Sequence, residues 1–389
     1  MNINDINNEK CTGCGGCSKV CPVSAINITR DKEGFFSPII NDKCIECGLC
    51  IRVCYKSFES EDGWNIEDSK GYLAYSLSDD VRYRASSGGI GEELCKFALE
   101  NEYEVCGVIY DYEKNIAKHI VTNKLDDIKK IVGSKYIPSY TEEAFKKLDI
   151  SKRYIIIGTP CQIYSLRKFM EYKKINNWIL IDFFCHGPAS MNLWDKYLDY
   201  IKYSELVNEE ITDINFRDKR NGWHNYGYSI KSKNKEYFKN HNEDLYSECF
   251  LKKVDLRECC FECKLRFNKI YSDIRLGDFW GPKCTNDEKG TSIILTNTTL
   301  GEIFFKKLKG IHLSKITYEE LKESQYSEGL KVPLDRVSFQ KELKSDKNLN
   351  VIYKKIIIPI KNKEKRNYYI GIPLRITKKI IKKIIKVKD

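Results

Sequence analysis

The chain has 389 residues, enough for about two or three domains with real cores. Its 42% apolar and 31% charged content is that of a soluble globular protein, and no run of about 18 apolar residues marks a membrane span. The net charge of +11 is concentrated at the end, where residues 361–389 hold eleven Lys or Arg and two acidic residues; the body is near neutral, which excludes a general nucleic-acid footprint. Seventeen cysteines with no secretory signal point to metal binding in the reducing cytoplasm rather than to disulfides.

CTGCGGCSKVCP places Cys11, Cys14, Cys17 and Cys21 in the spacing C-x2-C-x2-C-x3-C-P. CIECGLCIRVCY repeats the spacing with Cys44, Cys47, Cys50 and Cys54, and Tyr55 stands where the proline would be. A lone C-x2-C is also a zinc or thioredoxin-like spacing. Eight cysteines in two matching runs resemble the bacterial two-cluster ferredoxins, in which the fourth cysteine of each run serves the other cluster. The expected sets are Cys11, Cys14, Cys17 and Cys54 for one [4Fe-4S] cube, and Cys44, Cys47, Cys50 and Cys21 for the second. Gly13, Gly15 and Gly16 are expected to let the backbone wrap the cube. Residues 1–56 thus read as an α+β, ferredoxin-like domain, and the polar residues 57–80 as a linker.

From Val81 the pattern turns to alternating strands and helices. RYRASSGGIGEELCKFALE reads as a loop running into a helix, with Ser86 or Ser87 as cap, open amides at Gly88 and Gly89, and Leu94, Phe97 and Ala98 on the apolar face. A start of this kind is a generic anion cradle. VCGVIYD (105–111) and AKHIVT (117–122) alternate like half-buried strands. GSKYIPS (133–139) is a loop holding Lys135 and Tyr136, and residues 141–148 form a short capped helix. RYIIIGTPCQIYSL (153–166) is strand, turn and helix. There Thr159 caps, Pro160 takes the first position, and Cys161 falls in the first turn, where free amides favour a thiolate. WILIDFFCHG (178–187) is a buried strand ending in Cys185 and His186, at the edge where open α/β sheets bind ligands.

A helix is expected over 190–203. Residues 213–232 then put strand ends around a loop with Arg217, Lys219, Arg220, Trp223 and His224, a set suited to an anionic planar ligand. DLRECCFECKL (255–265) brings Cys259, Cys260 and Cys263. SDIRLGDFWGPK (272–283) is a strand into a turn, and residues 289–308 read as loop, strand and helix. Cys95 and Cys106 lie on apolar faces and read as core. Cys161 and Cys185 close two parallel strands, and the C-x2-C of Cys260 and Cys263 can complete a four-thiolate site with them. Cys259 competes with Cys260 for the fourth place. Zinc competes for such a site; two cluster runs elsewhere in the chain favour a redox cluster.

GTPCQI (158–163), FCHG (184–187), FRDKRNGW (216–223), RECCFEC (257–263), DIRLGDFWG (273–281) and KGTSIIL (289–295) resemble the β subunits of coenzyme F420-reducing hydrogenase and of F420H2 dehydrogenases. SSGG (86–89) and GSKY (133–136) fit the same pattern, and the fused ferredoxin resembles F420H2 oxidase subunits of that group. The resemblance implies an α/β domain with a mixed sheet over 81–332 that holds FAD and a third [4Fe-4S] cluster. It implies Cys161, Cys185, Cys260 and Cys263 as the ligands. It places FAD near Ser87, Gly88, Gly89, Gly133, Ser134, Lys135, Thr159 and Pro160, and His186 is a further candidate contact.

The implied activity is an oxidoreductase that splits or combines electron pairs at FAD. Electrons pass between the clusters and a carrier: F420, a nicotinamide or ferredoxin. Two other readings stay open. One is a ferredoxin-dependent flavin reductase acting on a small metabolite or polysaccharide precursor without F420. The other is a non-catalytic electron-transfer subunit of a larger complex. Residues 333–389 are Lys-rich. Within them, Ile376, Ile380, Ile381, Ile384 and Ile385 oppose Lys378, Lys379, Lys382, Lys383 and Lys386 at helical spacing. Such a helix suits a partner subunit or an anionic membrane surface, peripheral at the inner face.

Overall fold

A computed structural model describes residues 2–6, 10–58, 62–266, 269–325 and 330–370. In the N-terminal unit β1 (Ile26–Arg30) and β2 (Phe36–Ile40) form an antiparallel hairpin between the short helices Gly16–Val20 and Leu49–Arg52. There follow β3 (Trp64–Asn65), β4 (Lys70–Ser76), β5 (Glu104–Asp111), β6 (Ile116–Thr122), β7 (Ser139–Tyr140), β8 (Tyr154–Ile157) and β9 (Trp178–Phe183). Next are β10 (Asp213–Asp218), β11 (Gly227–Lys231) and β12 (Glu236–Asn240), then β13 (Lys269–Ile270), β14 (Ile274–Asp278), β15 (Ser292–Thr296) and β16 (Ile311–Ile316).

Nine of these strands build one mixed sheet in the order β16-β4-β15-β14-β9-β8-β5-β6-β7. Its centre is parallel, β5, β8, β9 and β14 running together, and antiparallel neighbours extend it on both sides. The central strands read as continuous apolar runs because both faces are covered. Ile155, Ile179 and Ile181 pack with Ile90, Leu94 and Ala98 of the helix Ile90–Glu100. Tyr154, Ile156, Trp178 and Leu180 point the other way, onto Ile163 and Leu166 of the helix Pro160–Lys173. That second face also carries Val20, Ile28, Phe36 and Ile51, so the N-terminal unit shares an apolar core with the sheet.

Two expectations are corrected. Residues 57–80 are not simply a linker: Lys70–Ser76 is a strand between β16 and β15, with Tyr72, Leu73 and Ala74 buried. The sheet domain therefore starts about ten residues before Val81; its opening strand finds its partners more than two hundred residues downstream. Up to residue 370 the Lys-rich region is folded onto the body rather than free. Phe339, Leu343, Leu349, Ile352, Ile356 and Ile357 share a core with Trp194 and Tyr197 of the helix Met191–Tyr200. The basic amphipathic segment 372–389 lies outside the described residues. No helix among those described is long and apolar enough to cross a membrane.

Candidate redox site

Cys11, Cys14, Cys17 and Cys54 gather where the N-terminal unit meets the sheet domain. Burial and the neighbouring Cys14 push Cys54 up to about 11. Burial raises Cys17 further, with repulsion from Cys14, Cys11 and Cys54. Of the other set, Cys47 is exposed, Cys50 is raised by burial with Cys47 among its neighbours, and the Ala25 N–H donates to Cys21 Sγ at 3.2 Å. Asn2 Nδ2 lies 4.0 Å from Cys44 Sγ.

Cys161, Cys185, Cys260 and Cys263 also meet, from three separate segments. The parallel pairing of β8 with β9 puts the two strand ends side by side. Cys161 follows β8 at the start of its helix, where Pro160 occupies the first position and Gln162 Oε1 accepts from the Thr159 N–H at 2.8 Å. Cys185 follows β9, with the Gly187 N–H directed at its sulfur at 3.4 Å. Burial raises Cys161, and Cys14, Cys185 and Cys263 add to the rise. Cys263 is pushed up to about 11 by burial and by Cys185, while Cys260 is raised by its hydrogen bond to Cys259, by burial and by Cys185. A left-handed Gly187 (φ +87) is needed beside Cys260, whose Sγ would lie 3.1 Å from a Cβ there. The loop carrying Cys263 is tied down by Arg275, which donates to the Leu265 and Arg266 carbonyls and pairs fully buried with Asp182 at 2.6 Å.

The Cys14–Cys161 approach joins the two quartets. Among the described residues no three His, Cys, Asp or Glu side chains sit as a single metal ion would require. The donor sets are all-thiol, largely buried and mutually repelling, a chemistry that fits polynuclear iron–sulfur groups whose positive core offsets four thiolates.

The N-terminal unit is fastened to this place by close contacts. Tyr55, in the position of the second proline, is buried against Tyr164 at 5.3 Å between ring centroids, and Tyr164 packs on Tyr271 at 4.6 Å. Cys161 and Cys263 pack on this aromatic cluster. Thr141 Oγ1 donates to the Cys14 carbonyl at 3.3 Å, Lys19 Nζ to the Leu148 carbonyl at 2.5 Å, and the Ile28 N–H to Glu142 Oε2 at 2.6 Å. The glycines of the first cysteine loop serve this docking: a Cβ on Gly15 would strike Thr141 Oγ1, and one on Gly16 would strike Ser165.

The loops flagged for flavin converge on one another, though not as free donors. Ser134 N donates to Ser86 Oγ at 2.7 Å, which brings GSKY beside SSGG. The helix Ile90–Glu100 is entered through a left-handed Gly89, not through a serine cap. The Gly88 amide is spent on Ser292 Oγ at 3.0 Å, and Ser87 Oγ donates to the Thr291 carbonyl. Lys135 Nζ donates to the carbonyls of Lys130, Ile131 and Val132, ending the helix Leu125–Ile131; burial pulls it down to about 7. Lys219 is spent on the Arg82, Ser87 and Lys289 carbonyls.

Arg217 differs from both lysines. It reaches Tyr136 Oη, Asp278 and the Ser86 carbonyl, and it stacks on Tyr226 at 4.0 Å, while its buried Nε has no partner. Trp280 stacks on Trp223 nearby, and the buried Trp223 Nε1 is also unpartnered. Gly133 (φ +85) faces open space. A buried guanidinium with a spare N–H among aromatic planes fits an anionic, planar group such as FAD. Thr159 and Pro160 join this region through Gln162 Nε2, which donates to Ser139 Oγ at 3.0 Å. His186 keeps an exposed edge and sits 3.2 Å from Arg266; burial and that charge hold its imidazole down at about 4. Arg257, Thr141, Ser165 and Tyr226 were not expected from the sequence; Arg257 alone had a local signal, preceding a cysteine cluster.

Residues 151–323 match the family defined by the C terminus of the coenzyme F420 hydrogenase/dehydrogenase beta subunit, and residues 3–55 match the 4Fe-4S dicluster domain. Among curated proteins, the F(420)H(2) dehydrogenase F polypeptide of Methanosarcina mazei, one subunit of that enzyme, is 21% identical over 321 residues, 78% of this chain and 84% of that protein. A chain of the F420-reducing [NiFe] hydrogenase complex from Methanosarcina barkeri, solved in a xenon derivatization, aligns at a TM-score of 0.46 and 18% identity over 75% of this chain and 92% of that one. The chain belongs to the family of coenzyme F420 hydrogenase/dehydrogenase beta subunits, with a 4Fe-4S dicluster domain at its N-terminus.

Proposed function

We propose that the protein is an iron–sulfur flavoprotein oxidoreductase that exchanges electrons between a hydride carrier, reduced coenzyme F420 in the first instance, and three [4Fe-4S] clusters. The carrying observation is the approach of Cys14 to Cys161, which unites a ferredoxin quartet with the quartet of the sheet domain. FAD supplies the change between two-electron and one-electron chemistry, and the clusters take electrons singly. Cys161, Cys185, Cys260 and Cys263 hold the third cluster, and the helix start at Pro160 turns its positive end toward that anionic group. Arg217 binds an acidic part of the flavin, with Ser87, Gly133 and Ser134 lining its approach and Tyr226 and Trp280 excluding water. Cys259 is left out of the set, since its sulfur lies 3.2 Å from the Cys11 carbonyl. The named relative is one subunit of a dehydrogenase, and a partner subunit is part of this reading.

The test is anaerobic reconstitution with iron, sulfide and FAD, followed by iron analysis of the wild type and of Cys161→Ser. The wild type should hold about twelve iron atoms per chain and the variant about eight. Equal counts of about twelve would remove this ligand set. Oxidation of reduced F420, against NADH, NADPH and ferredoxin as rivals, decides the carrier.

A further inference from the structure

Arg257 is 5% exposed and lies between the two quartets. Its Nε donates to the Cys11 carbonyl at 2.6 Å, Nη1 to the Phe36 carbonyl at 2.8 Å and Nη2 to Ser37 Oγ at 3.0 Å. All three acceptors belong to the N-terminal unit, and all three are neutral. Among the described residues no carboxylate pairs with it, unlike the buried Arg275, which has Asp182. The loop has been shaped to admit this side chain: a Cβ on Gly13 would fall 2.6 Å from Arg257 Nη1. Phe35 covers its outer side at 5.1 Å.

A buried cation without a counter-ion is strongly disfavoured. Its charge bears on the Cys11 thiol on one side and on Cys259 on the other, and it lowers both. Cube and thiolates together are anionic, and a net positive neighbour stabilises the reduced, more negative state. We propose that Arg257 is the counter-ion and positioning residue of the cluster held by Cys11, Cys14, Cys17 and Cys54, fixing the cysteine loop against the sheet domain and raising that cluster's reduction potential. This rests on the three-cluster reading above. It goes beyond that reading by assigning a tuning residue contributed by the sheet domain to a cluster of the ferredoxin domain. The fused ferredoxin is then not an independent module: its potential is set by the domain it serves.

The experiment compares the full-length, reconstituted wild type with Arg257→Gln and Arg257→Lys, by iron analysis and by a redox titration followed by electron paramagnetic resonance. The Gln variant should keep wild-type iron, and one cluster signal should become at least tenfold harder to reduce, ~59 mV lower for one electron. The other signals should stay in place. The Lys variant, which keeps the charge but loses the planar fork, should recover most of the shift. Unmoved potentials in a fully loaded Gln variant would overturn the proposal. So would a Lys variant that falls as far as Gln, because charge would then not be the cause. If the Gln variant loses iron, the Lys variant alone decides: a potential near wild type supports the counter-ion, and a fallen one overturns it. Iron content separates the two readings. A wild type with about eight iron atoms would refute the third cluster, while the potential of the Cys11 cluster still answers for Arg257.

Discussion

Gly16→Ala is the sharpest probe of how the N-terminal unit is seated. Gly16 opens the helix Gly16–Val20, and on backbone grounds alone alanine there should stabilise by about 0.4–1 kcal/mol. The structure reverses the sign. A Cβ at position 16 would lie under 3.0 Å from Ser165 Cβ, and Ser165 is fully buried in the helix Pro160–Lys173. Ser165 cannot turn away, because its Cβ is fixed by the helix backbone. Overpacking of this kind costs about 1–3 kcal/mol, so the net effect should be a loss of roughly 0.5–2 kcal/mol. Ser165→Gly removes the obstacle: the next nearest atom, Ser165 Cα, stands at an ordinary 3.6 Å. That single change costs about 1 kcal/mol in helix propensity. The double variant should therefore be more stable than the sum of the singles by about 1–2 kcal/mol, well beyond the roughly 0.5 kcal/mol scatter of independent sites. Urea midpoints of the anaerobic, reconstituted proteins give the four corners of the cycle. Strict additivity, or a stabilised Gly16→Ala, would refute the seating described here.

Two further outcomes are expected. Lys135→Met should lower stability by about 1–3 kcal/mol through three orphaned carbonyls, while flavin content stays at the wild-type level; loss of flavin with unchanged stability would return Lys135 to the ligand. His119 is buried with Nε2 on the Ile157 carbonyl at 3.2 Å, and burial holds its imidazole at about 4. Its neutral form is favoured in the folded state, so its contribution is complete above the unfolded value near 6.5 and is lost as pH falls toward 4. Acidification from pH 7 to 5 should then cost the wild type about 1–2 kcal/mol more than His119→Gln, read as urea midpoints at the two pH values. Parallel losses in the two proteins would show that this histidine is not proton-linked.

The cysteine runs and the strand–turn–helix at GTPC were legible because their information is local. Ligand spacing is covalent geometry, and a capping residue with proline after a β-branched run declares its own structure. The strand end at Cys185 was equally plain, and parallel pairing of two such runs was enough to set Cys161 beside it. The strand Lys70–Ser76 hid in polar surroundings because its partners lie at 292–296 and 311–316. Open amides were expected at Gly88 and free ammonium groups at Lys135 and Lys219. Only the folded chain brings Ser292 and the carbonyls that occupy them, since a donor's remaining capacity depends on neighbours distant in sequence.

The sequence by itself determined that eight cysteines come in two ferredoxin runs and that three further segments bring cysteines to strand ends and turns. Tertiary structure decided what those runs face. Gly13, Gly15 and Gly16 could be read only as freedom to bend around a cube; the fold shows that Arg257, Thr141 and Ser165 occupy the space a side chain would take. Tyr55 read as a harmless departure from proline and is the aromatic contact that seats the unit on Tyr164. Both facts rest on close packing between segments more than a hundred residues apart, and a one-dimensional pattern carries no record of which surfaces will be pressed together.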